Sequence, residues 1–299
     1  MEEAKKPKTD HDRLSSLSDD LLCHILTFLS IKEAYRTSVL SSRWISLCSK
    51  ILDLQFELPL SSKANMSREI QHAYAVLLRR NENIRKLAFH SQLGCKPHVA
   101  QLWVLRAKQL KVKELDLDLI LQKPTILPIS LLMSTSLVIL KLRGNIKTLF
   151  HSSIVVNFPS LKILHLELLF LYTSTNDGEY DLNYFLCGCP CLEEFLLQDC
   201  LIRPINISHH LLKRLCLNLF NPSYITDFGP LQLNVPSLEI LDITDCTLRK
   251  YEFINLFNVH RATIRLSKPS DFDGLYKLLN GISNVKSLIL TSDTIKFIL

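Results

Sequence analysis

Residues 137–142, LVILKL, and residues 161–166, LKILHL, repeat one six-residue pattern, with a leucine at the first, fourth and sixth positions. In an extended strand the fourth and sixth side chains leave one face and the fifth leaves the other. The pattern recurs with other apolar residues substituting, at Ile84-Leu87-Phe89, Val112-Leu115-Leu117, Leu192-Phe195-Leu197, Leu212-Leu215-Leu217 and Leu238-Leu241-Ile243. Weaker copies are Val259-Ala262-Ile264 and Val285-Leu288-Leu290, and Ile51-Leu54-Phe56 opens the series. From residue 84 onward the copies start 20 to 31 residues apart. Such a period signals a solenoid, with one strand per repeat and neighbours stacked to bury a continuous core.

Helical spacing fills several of the intervals. Ile70, Ala73, Tyr74, Leu77 and Leu78 predict one helix, and Val99, Leu102, Trp103, Leu105 and Leu110 a second. Shorter ones are predicted at Leu182, Phe185, Leu186 and Cys189, and at Leu275, Leu278, Leu279 and Ile282. Strand then helix, repeated, predicts an α/β solenoid: parallel strands line a concave face, with helices or loops outside. Phe158-Pro159-Ser160-Leu161 and Val235-Pro236-Ser237-Leu238 lead into strands, with Cys189-Pro190-Cys191-Leu192 a variant. Proline there stops a helix from running into the strand.

Ahead of the repeats, residues 13–48, RLSSLSDDLLCHILTFLSIKEAYRTSVLSSRWISLC, carry their own helix punctuation. Ser18 is an N-cap followed by Asp19 and Asp20, where carboxylates favour the helix dipole. Leu17 and Leu22 have the spacing of a hydrophobic staple, and Ser30 with Glu33 forms a capping box that opens a second helix through about Leu40. Ser41 or Ser42 caps a third, carrying Trp44 and Leu47. A module this small cannot bury all its apolar groups alone. A partner or the neighbouring repeats must cover part of Leu17, Leu21, Leu22, Ile25, Val39 and Trp44.

This stretch resembles an F-box in the form common in plants. The match runs through Leu17, Leu21, Leu22, Ile25, Leu26 and Leu29, then Lys32-Glu33-Ala34, Thr37-Ser38-Val39-Leu40-Ser41 and Arg43-Trp44, in unbroken register. Ser18 stands where the family usually has a proline that packs against the adaptor. With the repeats that follow, the chain resembles plant F-box/leucine-rich-repeat proteins. Residues 284–294 resemble the start of the FBD segment of some members, which this chain would hold incompletely. Residues 1–12 are polar and predict a disordered tail, and the resemblance implies an F-box over 13–50 and an irregular leucine-rich-repeat domain over 51–299. It implies docking of a Skp-type adaptor through Leu17, Ser18, Leu21, Leu22, Ile25, Leu26, Leu29, Val39 and Trp44. Through the adaptor, a cullin and a RING subunit would follow. The chain would then be the target-recognition subunit of an SCF-type ubiquitin ligase, with no catalysis of its own. The alternative is a protein-interaction scaffold with a weakened F-box, for which Ser18 is the ground.

Positions between the inward leucines face the concave solvent side. Among them Glu114, Asp116, Asp118, Lys141, Arg143, His165, Glu167, Arg214 and Asp242 are candidate target-binding residues. The acidic strand beside Lys141 and Arg143 predicts cross-strand pairing. Signs are mixed along the face, so the net charge of +6 is spread out and no phosphate-tracking groove is expected. Nucleic acid is therefore not an expected partner.

The 299 residues, 47% of them hydrophobic, suffice for a large core. No apolar run approaches the length of a membrane span, and the first residues lack the apolar region of a secretory signal. A nuclear and/or cytoplasmic location is expected, with the nine cysteines as free thiols. Cys187, Cys189 and Cys191 lack the paired knuckles of structural zinc and read as loop and core. Cys200, Cys216 and Cys246 read as small apolar residues, and His209-His210 as exposed loop. No nucleophile elbow, metal-binding helix motif or phosphate loop is present, so no catalytic residue, cofactor or metal is expected.

Overall fold

The computed structural model describes residues 13–58, 63–81, 83–147, 155–168, 182–200, 204–219, 229–246, 250–266, 272–291 and 294–295. The 1–12 tail lies outside the described residues. Three helices come first: α1 Asp19–Thr27, α2 Ile31–Arg36 and α3 Ser42–Ser49. Ten strands then form one sheet in chain order. They are β1 Asp53–Leu58, β2 Lys86–Cys95, β3 Glu114–Leu121, β4 Ile139–Gly144 and β5 Ile163–Glu167. The sheet continues with β6 Glu194–Gln198, β7 Arg214–Leu219, β8 Ile240–Asp245, β9 Arg261–Leu266 and β10 Ser287–Leu290. Every neighbour pair is parallel.

Each copy of the six-residue pattern supplies one strand. The register sets Leu54, Leu87, Leu115, Leu140, Leu164, Phe195, Leu215, Leu241, Ala262 and Leu288 in one lateral row. That row is buried as far as Ala262, whereas Leu288 is 42% exposed. Each buried leucine contributes about 1.5–3 kcal/mol relative to an exposed one, so the row anchors the register. The proline preludes close tight turns. Leu161, Leu192 and Leu238 N–H groups donate to the carbonyls of Phe158, Cys189 and Val235, at 3.2, 3.1 and 3.0 Å, with proline at the second turn position in each. Gly144 has φ +118°, and a Cβ there would meet Leu119 O at 1.9 Å. Only glycine fits this end of β4.

Outside the sheet lie α4 Lys63–Leu78, α5 Pro97–Gln109, α6 Leu182–Cys187 and α7 Phe272–Gly281. The buried face of α5 is Val99, Ala100, Trp103, Val104 and Ala107, while Leu102 and Leu105 are exposed, against expectation. Trp103 stacks on Phe89 at 3.8 Å between centroids, and Phe89 on Phe56 at 4.9 Å, so one aromatic column joins α5, β2 and β1. Proline at its first turn starts α5 without losing a bonded N–H.

Later repeats depart from the helix-or-loop expectation. Ile205–Ser208, Leu231–Asn234 and Tyr251–Ile254 form a second parallel sheet on the outer layer. These segments carry the alternation of a half-buried strand: Ile205 and Ile207, Leu231 and Leu233, and Tyr251 and Phe253 turn to the core on alternate residues.

Two further expectations are corrected. His209 is buried, not exposed: its Nε2 lies 3.0 Å from Cys189 O, and its Nδ1 accepts from Leu211 N–H at 3.3 Å. It is a neutral staple between adjacent repeats, and burial lowers its pKa. Among the cysteines, Cys200 is buried as expected, but Cys216 is half-buried on the concave side and Cys246 is exposed.

Candidate interaction surfaces

The helical module is locally well specified. Ser18 Oγ accepts from Leu21 N–H at 3.4 Å, so serine caps α1 in the place of the family's proline. Ser30 and Glu33 complete the reciprocal capping box, whose hydrogen bonds hold the Glu33 carboxyl below its usual range. The second helix is shorter than expected, ending at Arg36 and giving way to a 3₁₀ turn over Thr37–Val39. Arg43 on α3 reaches back to the start of α1. It donates to Asp19 Oδ1 at 2.9 Å, Ser15 O at 2.8 Å and Leu17 O at 2.6 Å. Those bonds, with Lys50 at 3.2 Å, lower the pKa of Asp19.

Burial divides the expected docking residues. Leu22, Leu26 and Trp44 are buried inside the module, with Ile31, Ala34 and Leu47. They hold the helices together and offer no free surface, which corrects their assignment as contact residues. Leu17 is half-buried against the same core. Leu21, Ile25, Leu29 and Val39 are exposed, and so is Ser18. Four residues absent from the sequence-based set join them: Phe28, Leu40, Ile45 and Leu14. Val39 is 86% and Phe28 76% exposed. Leu21, Ile25 and Phe28 follow at four and three residues, so they form one stripe along α1. Helical periodicity could have found Phe28; the break of α2 into a 3₁₀ turn, which turns Val39 and Leu40 outward, could not be read from it.

The module is fastened to the repeats by Arg80, a residue that sequence reasoning missed. Arg80, just beyond α4, is 2% exposed. Its guanidinium donates to Cys48 O at 2.9 Å, to Ser49 O and to Tyr35 Oη at 3.1 Å. The guanidinium thereby adds a donor to two carbonyls at the end of α3, of which Cys48 O also accepts from Ile51 N–H at 3.4 Å. Arg106 on α5 repeats the device one layer on, donating to Leu77 O at 3.0 Å and to Arg80 O. Lys32 and Glu69 add an ion pair between α2 and α4. An arginine at the end of a helical pattern usually marks a solvated face, so no sequence signal marked Arg80.

On the concave face the register lays charges of opposite sign side by side. Glu57, His90, Asp118, Arg143 and Glu167 occupy one lateral row. Lys86 pairs with Glu114 at 2.6 Å, and Arg143 lies 3.6 Å from Asp118 and 3.3 Å from Glu167. His90 bridges Glu57 at 3.2 Å and Asp116 at 3.7 Å. Glu194 is a hub, 2.8 Å from His165 Nε2 and accepting from Arg214 Nε at 2.7 Å. Burial pushes the Glu194 carboxyl up, but those hydrogen bonds outweigh it and leave its pKa lowered. Asp242 accepts from Arg265 at 3.0 Å. Of the expected target-binding residues, Lys141 has no ion pair among the described residues.

Among the described residues no group of His, Cys, Asp and Glu is placed to hold a metal, and no helix is long and apolar enough to cross a membrane. All nine cysteines are free thiols. Burial pushes the Cys189 thiol up to about 12 and the Cys95 thiol to about 11, so neither is a ready nucleophile.

The F-box domain family matches residues 14–54. An F-box/LRR-repeat protein of Arabidopsis thaliana is 30% identical over 310 residues, covering 95% of this chain and 79% of its own length. The chain belongs to the plant F-box/LRR-repeat family. A putative F-box/LRR-repeat protein of the same plant is 33% identical over 96% of this chain and 56% of its own length. A putative F-box/FBD/LRR-repeat protein is 33% identical over 78% of this chain and 53% of its own. The chain therefore spans a little over half the length of several relatives it matches. In this F-box/LRR-repeat protein, the exposed stripe of α1 and the Val39 turn lie on the F-box, and the alternating charges lie on the repeats.

Proposed function

We propose that this chain recruits target proteins to a ubiquitin ligase of the Skp–cullin–F-box type. The single observation that carries the reading is the grouped exposure of Leu21, Ile25, Phe28, Leu29, Val39 and Leu40 on a module whose core is closed by Leu22, Leu26, Ile31, Trp44 and Leu47. Exposed apolar residues grouped on one small module mark a partner surface. A Skp-type adaptor would cover them and bring a cullin and RING subunit. The concave face would hold the target, and transfer would follow from proximity, with no bond chemistry by this chain. The Arg80 contacts support the reading, because a target held on the repeats then keeps a set distance from the adaptor. Nine free thiols support action in the nucleus or cytoplasm, where disulfides are rare. A second reading, a scaffold without ligase function, is favoured by Ser18 at the proline position.

Co-expression with a plant Skp-type adaptor followed by size-exclusion chromatography tests the first step. A stable one-to-one complex is expected, and a folded chain eluting alone would favour the scaffold. Ubiquitin transfer in a reconstituted complex then separates ligase from scaffold.

A further inference from the structure

We propose that the free edge of β1, where the F-box meets the repeats, binds an extended basic segment of a target protein as an added strand. Among the described residues β1 is the first strand of the sheet and pairs only with β2. Lys86 N–H donates to Leu52 O, and backbone groups alternate sides along a strand. The even-numbered residues of β1 therefore bond β2, and the N–H and C=O groups of Asp53, Gln55 and Glu57 turn to the open side. Among the described residues no backbone hydrogen bond joins β1 to anything but β2 and the residues leading into it.

Open space runs along that edge. One cavity of about 590 Å³ lies between the end of α1 and β1, and a second of about 280 Å³ lies between the start of α2 and β1. Both are lined by Ser30, Ile31, Gln55 and Glu57, so they form one trough with the strand edge as a side. An unpaired edge beside a groove with apolar and polar lining is the arrangement that accepts a peptide by strand addition.

Charge selects the occupant. The trough's cations are already matched: Lys32 with Glu69, Lys50 with Asp19, and Arg85 with Asp53. One of its carboxylates has capacity left. Glu57 is 68% exposed in its side chain and faces only the Gln55 amide and the His90 imidazole. Asp53 is already paired with Arg85, with its Oδ1 buried and without a hydrogen-bond partner among the described residues, so the free charge is that of Glu57. The uncommitted charge is negative, so the segment carries lysine or arginine at alternate positions with apolar residues between. The identification of the occupant as a target segment rests on the target-recruiting reading; the strand site itself does not.

The test is fluorescence polarisation of the full chain with a labelled Val-Lys-Val-Lys-Val-Lys peptide and its Val-Glu-Val-Glu-Val-Glu counterpart. The lysine peptide is expected to bind at least tenfold tighter. Gln55→Pro removes an outward N–H without touching the β2 ladder and is expected to weaken binding at least tenfold. Glu57→Lys leaves the backbone edge intact and is expected to weaken binding similarly, which keeps the test decisive if the proline variant fails to fold. Equal affinity for both peptides, or unchanged binding by Glu57→Lys, overturns the proposal. Displacement of the peptide by saturating Skp-type adaptor would assign the trough to the adaptor and also overturns it. So does a dimer of the chain that Gln55→Pro dissociates, which would assign the edge to a second copy. Val39→Asp, expected to lose the adaptor, must leave peptide binding unchanged, so failure of the docking reading and failure of the strand site give different results.

Discussion

The F-box and the concave face are both surfaces for other molecules, and they are built in opposite ways. The F-box leaves large apolar groups in water, with Leu21 52% exposed beside the still more exposed Val39 and Phe28. The concave face leaves polar groups in water and matches most of its charges to a neighbour of opposite sign. An apolar surface gains free energy when almost any complementary apolar surface covers it. A paired polar surface gains only when the ligand replaces the pairs it displaces. One side suits an invariant partner and the other a selective one.

Substitutions in the module should break that contrast most sharply. Leu22→Asp places a carboxylate in a fully buried site, a cost of several kcal/mol that a three-helix module cannot absorb. Hydrogen exchange over α1 to α3 should rise to unprotected rates, and adaptor binding should vanish with it. Leu21→Asp combined with Val39→Asp should instead abolish adaptor binding by about 100-fold or more while the melting temperature stays put. If that double variant still elutes with the adaptor, the docking surface lies elsewhere.

Arg80→Met tests the joint between the two surfaces. Removing the guanidinium from the Ser49 and Cys48 carbonyls and the Tyr35 hydroxyl should cost about 2–4 kcal/mol. Exchange should increase at the end of α3 and after α4, while β6 to β8 remain protected. A smaller effect is expected from pH. His209 has a folded pKa below its ordinary 6.5, so the unfolded chain binds more protons between those two values. Its contribution is therefore present above about pH 6.5 and is lost as pH falls through the folded value. Thermal unfolding between pH 7.5 and 5 should show a steeper acid decline in the native chain than in His209→Gln. Smallest of all, Glu194→Gln weakens half-exposed pairs with His165 and Arg214 and should change stability by less than about 1 kcal/mol. A larger loss would show that the concave pairs hold the repeats together.

The sequence alone determined the number and register of the sheet strands. Leu54 through Leu288 recur in one phase, and a one-residue slip would turn every buried leucine into water. It also determined the starts of α1 and α2, because a cap bonds residues only three apart and needs no distant contact, whereas Ser41 at the start of α3 makes no side-chain cap bond. Tertiary structure decided which apolar residues of that module remain free. Leu21 and Leu22 are alike in sequence and adjacent, yet one lies in water and the other in the core, because the packing of α1 on α3 selects the face. It likewise decided that Arg80 and His209 would be buried staples, since each is satisfied by carbonyls 20 or more residues away. Local pattern sets what each segment can form. Which surfaces stay uncovered follows only when the segments meet, because burial is a property of pairs of elements and not of either one.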